Sequence, residues 1–430
     1  MKYRLLVIIL FLYIAVVSLR AQVVTDSTSI NVDTVIVLKD PVYNYQTQEI
    51  KLSYNYDFAS YLNNAFLVTY FTSGFIDDGL KNENLTRLNG ENNPLGLSSD
   101  FVLQYRNQPA VLFGNSYLGF SAAVEWHSIN EMLFTDDFFS LLFLGTKQFA
   151  GKDAASLHNV SNNNLNYYQV KGGMYKKNEL RNIEFGFQIA LNFGNQYSSF
   201  NSKNSSLYVD SLGKYIDLKG NFSYYSTEIT GNNFTEIQGY GGSIDLFYQK
   251  EVQNAYKFRV DIRNLGFIYW NKNTQIYNED ESIHFEGIEV DNILDNSNDF
   301  FGNSMKDSLS NYINRNSIND NLNVFIPTDI SVFYRQYFSK YFSAYGVVKY
   351  RMNSFSDLYF LAGADYQLSK KITLGGNINY GSYSKFNVGL NFQVKIKTNF
   401  AIELQSRYLT GVIYNSFSGI GAFLQLNYKF

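Results

Sequence analysis

The chain has 430 residues with no Cys, 4 Pro, 36 Tyr and 37 Phe, and its 35 basic and 38 acidic residues leave a net charge of −3. Aromatics at 17% exclude a disordered chain. The lack of Cys excludes a disulfide scaffold or thiolate metal site, and the charge balance speaks against nucleic acid as a partner. A mean hydropathy of −0.20 with one long apolar run excludes a bundle of membrane-spanning helices. What remains is a mixture of strand formers (Tyr, Phe, Val, Ile) with Asn, Ser and Gly. It points to β structure in which half of the side chains meet water or polar groups.

At the N-terminus, Lys2 and Arg4 precede an apolar run at residues 5–17, followed by Ala21-Gln22. The run is shorter than the roughly 20 residues that span a bilayer as helix, so residues 1–21 read as a secretory signal peptide. The exported chain is expected in the bacterial outer membrane. Residues 22–63, polar and carrying Pro41, are expected to form a periplasmic or lumen-plugging segment. Within it, Ile50, Leu52, Tyr54, Tyr56 and Phe58 alternate with Lys51, Ser53, Asn55 and Asp57 as in a strand.

From residue 64 to 430 the alternation recurs. In residues 183–193 the apolar set is Ile183, Phe185, Phe187, Ile189, Leu191 and Phe193, opposite Glu184, Gly186, Gln188, Ala190 and Asn192. In residues 387–396, Val388, Leu390, Phe392, Val394 and Ile396 oppose Asn387, Gly389, Asn391, Gln393 and Lys395. Segments of about ten residues with period 2, separated by turn residues, mark an all-β transmembrane barrel. Lipid supplies no hydrogen-bond partner, so the sheet must close on itself and turn every second side chain outward. A soluble β-sandwich also alternates, but large aromatics on the apolar face and full charges on the polar face favour the barrel. The chain ends with Leu424, Leu426, Tyr428 and Phe430 on one face, an ending that resembles the signal read by barrel assembly machinery. Outer-membrane lipids and that machinery are therefore the expected partners.

Alternating short and long connections divide the chain into fourteen expected strands. They are 64–76, 99–107, 114–129, 165–176, 182–194, 239–250 and 256–270, then 323–337, 342–352, 357–368, 372–380, 387–396, 400–409 and 420–430. The even number places both ends on the periplasmic side. The connection at 381–386 is expected to be long. Among the extracellular connections, 135–149 reads as an N-capped short helix and 299–313 as a second. Residues 215–227 read as a hairpin. At Asn264-Leu265-Gly266 the apolar set slips by one residue, which predicts a bulge.

The polar faces supply the candidate site residues, all expected to face the lumen. Glu125 and His127 share one side of a strand whose other side is Ala122, Val124 and Trp126. Arg259, Asp261 and Arg263 share another inward face, as do Lys349 and Arg351, and Glu403 and Arg407; Glu184 and Asp365 stand on further strands. Charges of both signs predict a lumen crossed by ion pairs rather than a wide pore of one sign. Glu125 and His127 read as an acid/base pair or, more simply, as members of a polar network. A lipid-modifying enzyme would need a nucleophile beside His127, and no motif fixes one. No phosphate loop, HExxH, nucleophile elbow or EF-hand loop is present. No enzyme activity, metal or cofactor is expected.

Three stretches carry a family resemblance: 264–270 (Asn-Leu-Gly-Phe-Ile-Tyr-Trp) with 285–288 (Phe-Glu-Gly-Ile), 137–151 with its Leu-Gly-Thr-Lys-Gln-Phe-Ala-Gly ending, and Trp126-His127-Ser128. They resemble a Bacteroidota outer-membrane β-barrel family of unknown function, which has Asp where Asn264 stands. The resemblance spans most of the mature chain and implies a fold similar to the fourteen-stranded long-chain fatty-acid transporter barrels. Related barrels are accessory components of type IX secretion. It implies no catalytic or binding residue. Two functions are therefore expected to compete: binding or transport of a small apolar ligand, and an accessory barrel of a secretion or surface-attachment complex that offers its extracellular loops to a protein partner.

Overall fold

Side chains that alternate between lipid and water require a closed sheet, because an open edge would leave backbone groups bare in hydrocarbon. The computed structural model, which describes residues 47–109, 111–115, 117–178, 181–227, 236–286 and 316–430, has that closed sheet. The expected signal peptide, residues 22–46 and the helix expected at 299–313 lie outside the described residues.

Fourteen antiparallel strands follow one another around the barrel. They are β1 (Thr47–Ser60), β2 (Asn93–Gln108), β3 (Leu118–Phe134), β4 (Ser161–Asn178) and β5 (Ile183–Val209). Next come β6 in two pieces (Ile216–Ser226 and Gly239–Val252), β7 (Tyr256–Phe285) and β8 in two pieces (Ile318–Phe325 and Thr328–Tyr337). The wall continues with β9 (Phe342–Met352), β10 (Tyr359–Gln367), β11 (Ile372–Gly381), β12 (Ser384–Lys397), β13 (Phe400–Ser406) and β14 (Ile420–Lys429). β14 closes onto β1 in the register Ile50↔Tyr428, Tyr54↔Leu424 and Phe58↔Ile420. The outward residues of β5, β7 and β12, among them Ile189, Leu191, Leu265, Phe267 and Leu390, are exposed apolar side chains, as a lipid-facing wall requires.

The number of strands agrees with the sequence expectation, but the first strand does not. β1 is the alternating segment at 47–60, assigned above to the N-terminal extension. The strand expected at 64–76 is instead a helix, α1 (Asn64–Phe71). The reason is local. Asn63 accepts the Phe66 N–H at 2.9 Å and caps the helix, while a short apolar run carries no period of its own. The hairpin expected at 215–227 is a single strand piece that pairs with an extended β5 on one side and β7 on the other. The connection at 381–386 is a tight turn through Ser382 and Tyr383, made possible by positive φ at Gly381 (97°) and Ser382 (62°).

Two predicted local features are present. Thr135 caps α3 (Asp136–Phe143) by accepting the Phe138 N–H at 2.9 Å; α2 (Asp78–Arg87) precedes it in the chain. In β7, Ile244↔Leu265 and Leu246↔Ile262 are successive register pairs, so Arg263 and Asn264 together oppose Asp245. Asn264 adopts a φ of 59°, and this is the bulge. Beyond it, Leu265, Phe267 and Tyr269 point outward while Ile268 and Trp270 are fully buried. Opposite the bulge β8 breaks at Pro327, which has no N–H to give; Ile326 N–H bonds Gly266 O at 3.1 Å instead.

Toward the end of the barrel with the long connections, extracellular in barrels of this kind, buried apolar side chains gather inside the wall. Ile129, Leu165, Tyr167, Tyr197, Ile268, Trp270 and Ile326 form one buried cluster. Ala59, Tyr383 and Tyr408 form another. α1 and α3 do not enter the lumen. They pack Phe66, Leu67 and Phe139 over Phe58, Leu95, Met132 and Phe134, residues that alternation places on the outward side of β1–β3. Each such buried aromatic contributes about 1.5–3 kcal/mol, which holds helices too short to be stable alone.

Candidate functional site

Below these apolar clusters the lumen carries a belt of charge. On one side it starts just past the end of β13, where Arg407 pairs closely with Asp57 on β1 and donates to Asn55 Oδ1 at 3.3 Å. Asn55 Nδ2 donates to Asp57 Oδ2 at 2.8 Å and, at 3.4 Å, to Asp100 on β2. Asp100 meets His127 Nδ1 at 2.7 Å. The other ring nitrogen, Nε2, lies 3.1 Å from Glu125 Oε2 and 3.0 Å from Gln169 Oε1. Both nitrogens thus face acceptor oxygens, which an imidazolium, a donor at both, satisfies. Tyr167 stacks on the ring at 4.8 Å. Lys171 then links Glu125 (3.1 Å), Asp245 Oδ2 (2.7 Å) and Asn264 Oδ1 (2.9 Å), with only 1% of its side chain exposed. Asp245 also accepts the Asn264 N–H at 2.7 Å, so the bulge itself is tied into the belt.

On the other side, Arg259 forms a fork with Asp261 at 2.7 and 2.6 Å and donates to Gln249 at 3.2 Å. Arg351 forms a second fork, on Asp329, at 2.8 and 3.1 Å, and Lys349 joins the same carboxylate at 3.0 Å. Arg335 pairs with Asp365 at 2.8 Å, and Asn391 Nδ2 donates to Asp365 Oδ1 at 2.5 Å. Nearer the inner end Arg106 pairs closely with Glu184 and lies 4.2 Å over the Tyr175 ring. Forked arginine–carboxylate pairs are the strong, directional kind. Arg263 stands apart: its guanidinium reaches Asp261 only at 3.6 Å, and Asp261 is already held by Arg259.

Two cavities interrupt the belt. The middle one, about 370 Å³, is lined by Arg263, His127, Asp329 and Arg407 and also by Val102, Ile129, Val347, Leu361 and Phe423. The inner one, about 540 Å³, is lined by Arg335, Asp365 and Glu403 with Tyr345 and Asn391. The structure therefore gathers Glu125, His127, Arg263, Lys349, Arg351 and Arg407 around one space, with Asp365 and Glu403 around the other. Glu184, Arg259 and Asp261 line neither. Sequence reasoning passed over Asp57, Asp100, Lys171, Asp245, Asp329 and Arg335. Each sits on the polar face of its strand, so alternation alone flags it; what alternation lacks is the partner. His127 bonds Asp100, Glu125 and Gln169, and no hydroxyl nucleophile is hydrogen-bonded to it among the described residues. No group of three or more His, Asp or Glu side chains there is arranged to hold a metal.

No curated protein matches the chain in sequence. In structure it is similar to the Pseudomonas putida toluene transporter TodX (9% identity, covering 89% of this chain and 88% of that chain, TM-score 0.40). It is also similar to a FadL homologue of Pseudomonas aeruginosa (8% identity, 90% of each chain, TM-score 0.41). A further similar structure is the translocator domain of the autotransporter NalP from Neisseria meningitidis (8% identity, 97% and 96%, TM-score 0.30). The profile of a family of unknown function, DUF5723, matches residues 43–403, and the chain belongs to that family.

Proposed function

We propose that this protein is exported by its N-terminal signal peptide, enters the bacterial outer membrane through its C-terminal strand (Leu424, Leu426, Tyr428, Phe430), and there binds and passes a small ligand with an apolar body and a polar end. The observation that carries the reading is the mixed lining of the middle cavity. Val102, Ile129, Val347, Leu361 and Phe423 suit an apolar body, while Arg263, whose only ion-pair contact among the described residues is 3.6 Å long, suits a polar or anionic end. The apolar clusters above and the paired charges around it fit a site that holds one molecule better than a water-filled diffusion pore. The test is purification from native outer membranes followed by mass spectrometry of bound small molecules, with Arg263→Ala as the comparison. A bound amphiphile that is lost in the variant supports the reading; an empty lumen in both sinks it.

A second reading, an accessory barrel of a secretion or surface-attachment complex, is favoured by a different feature. β5 and β7 run to 27 and 30 residues, and with the first piece of β6 they form a sheet that stands beyond the other strands. A stoichiometric protein partner in the same purification, released by deletion of that sheet, would favour this reading over the first.

A further inference from the structure

The outer rim of the barrel carries an apolar surface that the lumen does not explain. Val68 and Phe71 on α1, Phe75 just after it, and Val412, Ile413 and Tyr414 at α4 (Leu409–Ile413) are each between 48% and 90% exposed. These side chains form one neighbourhood, because the Ala65 N–H bonds Asn415 O at 2.9 Å and Asn64 N–H bonds Phe417 O at 2.8 Å. α1 packs Phe66 and Leu67 into the cluster that includes Phe139 of α3 and leaves Val68 and Phe71 largely exposed.

Two observations say what covers that face. The first is continuity with the lipid-facing wall. The Phe71 ring packs edge-on against Phe58, an outward residue of β1, at 5.7 Å. On the other side α4 lies beside β12, where Phe386 is exposed on the outward face. The second is the treatment of the backbone. β13 stops at Ser406, and residues 407–419 take the strand's place in the wall without being a strand. Side chains supply the missing bonds. Val388 N–H donates to Thr410 Oγ1 (3.3 Å), Asn379 Nδ2 donates to Arg407 O (2.8 Å), and Arg87 donates to Ser416 O (2.8 Å). Asn64 closes three more: Nδ2 to Gly411 O (2.7 Å) and Gly419 O (3.0 Å), and the Gly419 N–H to its Oδ1 (2.9 Å). A loop in water needs no such substitutes, whereas irregular backbone beside hydrocarbon does.

We propose that α1 and α4 form an apolar brow lying in the outer leaflet, with Val68, Phe71, Phe75, Val412, Ile413 and Tyr414 among lipid acyl chains. The brow extends the lipid-facing wall where β13 ends, and so seals a stretch of wall that lacks a strand.

The chain has no Cys, so single nitroxide labels can be placed without other changes. The full chain is reconstituted into phosphatidylcholine vesicles as Phe75→Cys and, separately, Val412→Cys. Leu103→Cys on the outward face of β2 and Leu212→Cys in the turn after β5 serve as references. Only preparations with the parent's folded gel mobility are compared, and two independent positions guard against one misfolding. The readout is collisional relaxation by oxygen, which partitions into lipid, against a water-soluble nickel chelate. Oxygen exceeding nickel at both brow positions, as at Leu103→Cys, is the expected result. Nickel exceeding oxygen, as at Leu212→Cys, would overturn the proposal, since a surface kept for a protein partner stays in water when no partner is present. Water-like values at Leu103→Cys as well would overturn the membrane barrel and the brow with it.

Discussion

Lys171 offers the sharpest test of whether the luminal belt holds the barrel together. Its ammonium lies 2.7 Å from Asp245, 2.9 Å from Asn264 and 3.1 Å from Glu125, and the side chain is 1% exposed. In Lys171→Met the volume is kept but two carboxylates lose their shared cation. Breaking a buried pair costs about 3–5 kcal/mol. Neither acid is left bare, because Glu125 keeps His127 Nε2 and Asp245 keeps the Asn264 N–H, so the expected loss is at the lower end, about 3 kcal/mol. Asp245→Asn leaves Lys171 with Glu125 and Asn264 and should cost about 1–2 kcal/mol. The double variant should then lose less than the sum, with a coupling of about 1–3 kcal/mol. Urea unfolding from lipid vesicles, followed by tryptophan fluorescence, measures all four states; Trp270 is buried in the luminal cluster. If Lys171→Met lies within about 0.5 kcal/mol of the parent, the belt is hydrated and carries no structural energy, and the reasoning fails.

Three further outcomes follow from single positions. Asn64→Leu orphans Gly411 O, Gly419 O and the Gly419 N–H at about 1–3 kcal/mol each, so the folded fraction should fall by at least about 3 kcal/mol in the same titration, and parental stability would show that water already serves those groups. Gly266→Ala places a Cβ 2.1 Å from Gly242 O, a backbone atom that cannot swing aside, so folding yield by gel mobility should drop sharply; a normal yield would mean the bulge relaxes freely. At the far end of β7, the hydrogen bond from His284 Nδ1 to Asp217 (2.5 Å) raises the His284 pKa above its ordinary value near 6.5. A raised pKa means that the cross-strand tie is fully present below that ordinary value and is lost as pH climbs through the folded-state value. Amide exchange in residues 216–226, corrected for its intrinsic pH dependence, should therefore quicken at alkaline pH in the parent and not in His284→Asn; equal behaviour of the two would remove the role of His284.

Some of this architecture is written locally. Period 2 in residues 183–193 and 387–396 is a property of neighbouring residues, and lipid on one side turns it directly into inward and outward faces. The slip at Asn264 was legible for the same reason, since one extra residue reverses every face beyond it. The cap at Thr135 needs only residues three apart. Residues 47–60 show where such reading runs short. Their alternation was plain, but membership in the wall depends on a partner at the far end of the chain, Phe58 opposite Ile420. At 64–76 a cap and a neighbouring apolar face outweighed the strand propensity of Val, Thr, Tyr and Phe.

The sequence by itself determined that alternating segments close into a barrel with a charged interior, because side-chain period and hydrogen-bond saturation in lipid leave no open arrangement for them. Only the tertiary structure decided which polar groups meet. Arg407 finds Asp57 across 350 residues and Ser354 finds Glu131 across 223, and closure of the sheet, not spacing along the chain, makes them neighbours. It also decided that a short helix rather than a strand completes the wall beside β12, because Asn64, Asn379 and Thr410, drawn from separate segments, supply the bonds a strand would have made.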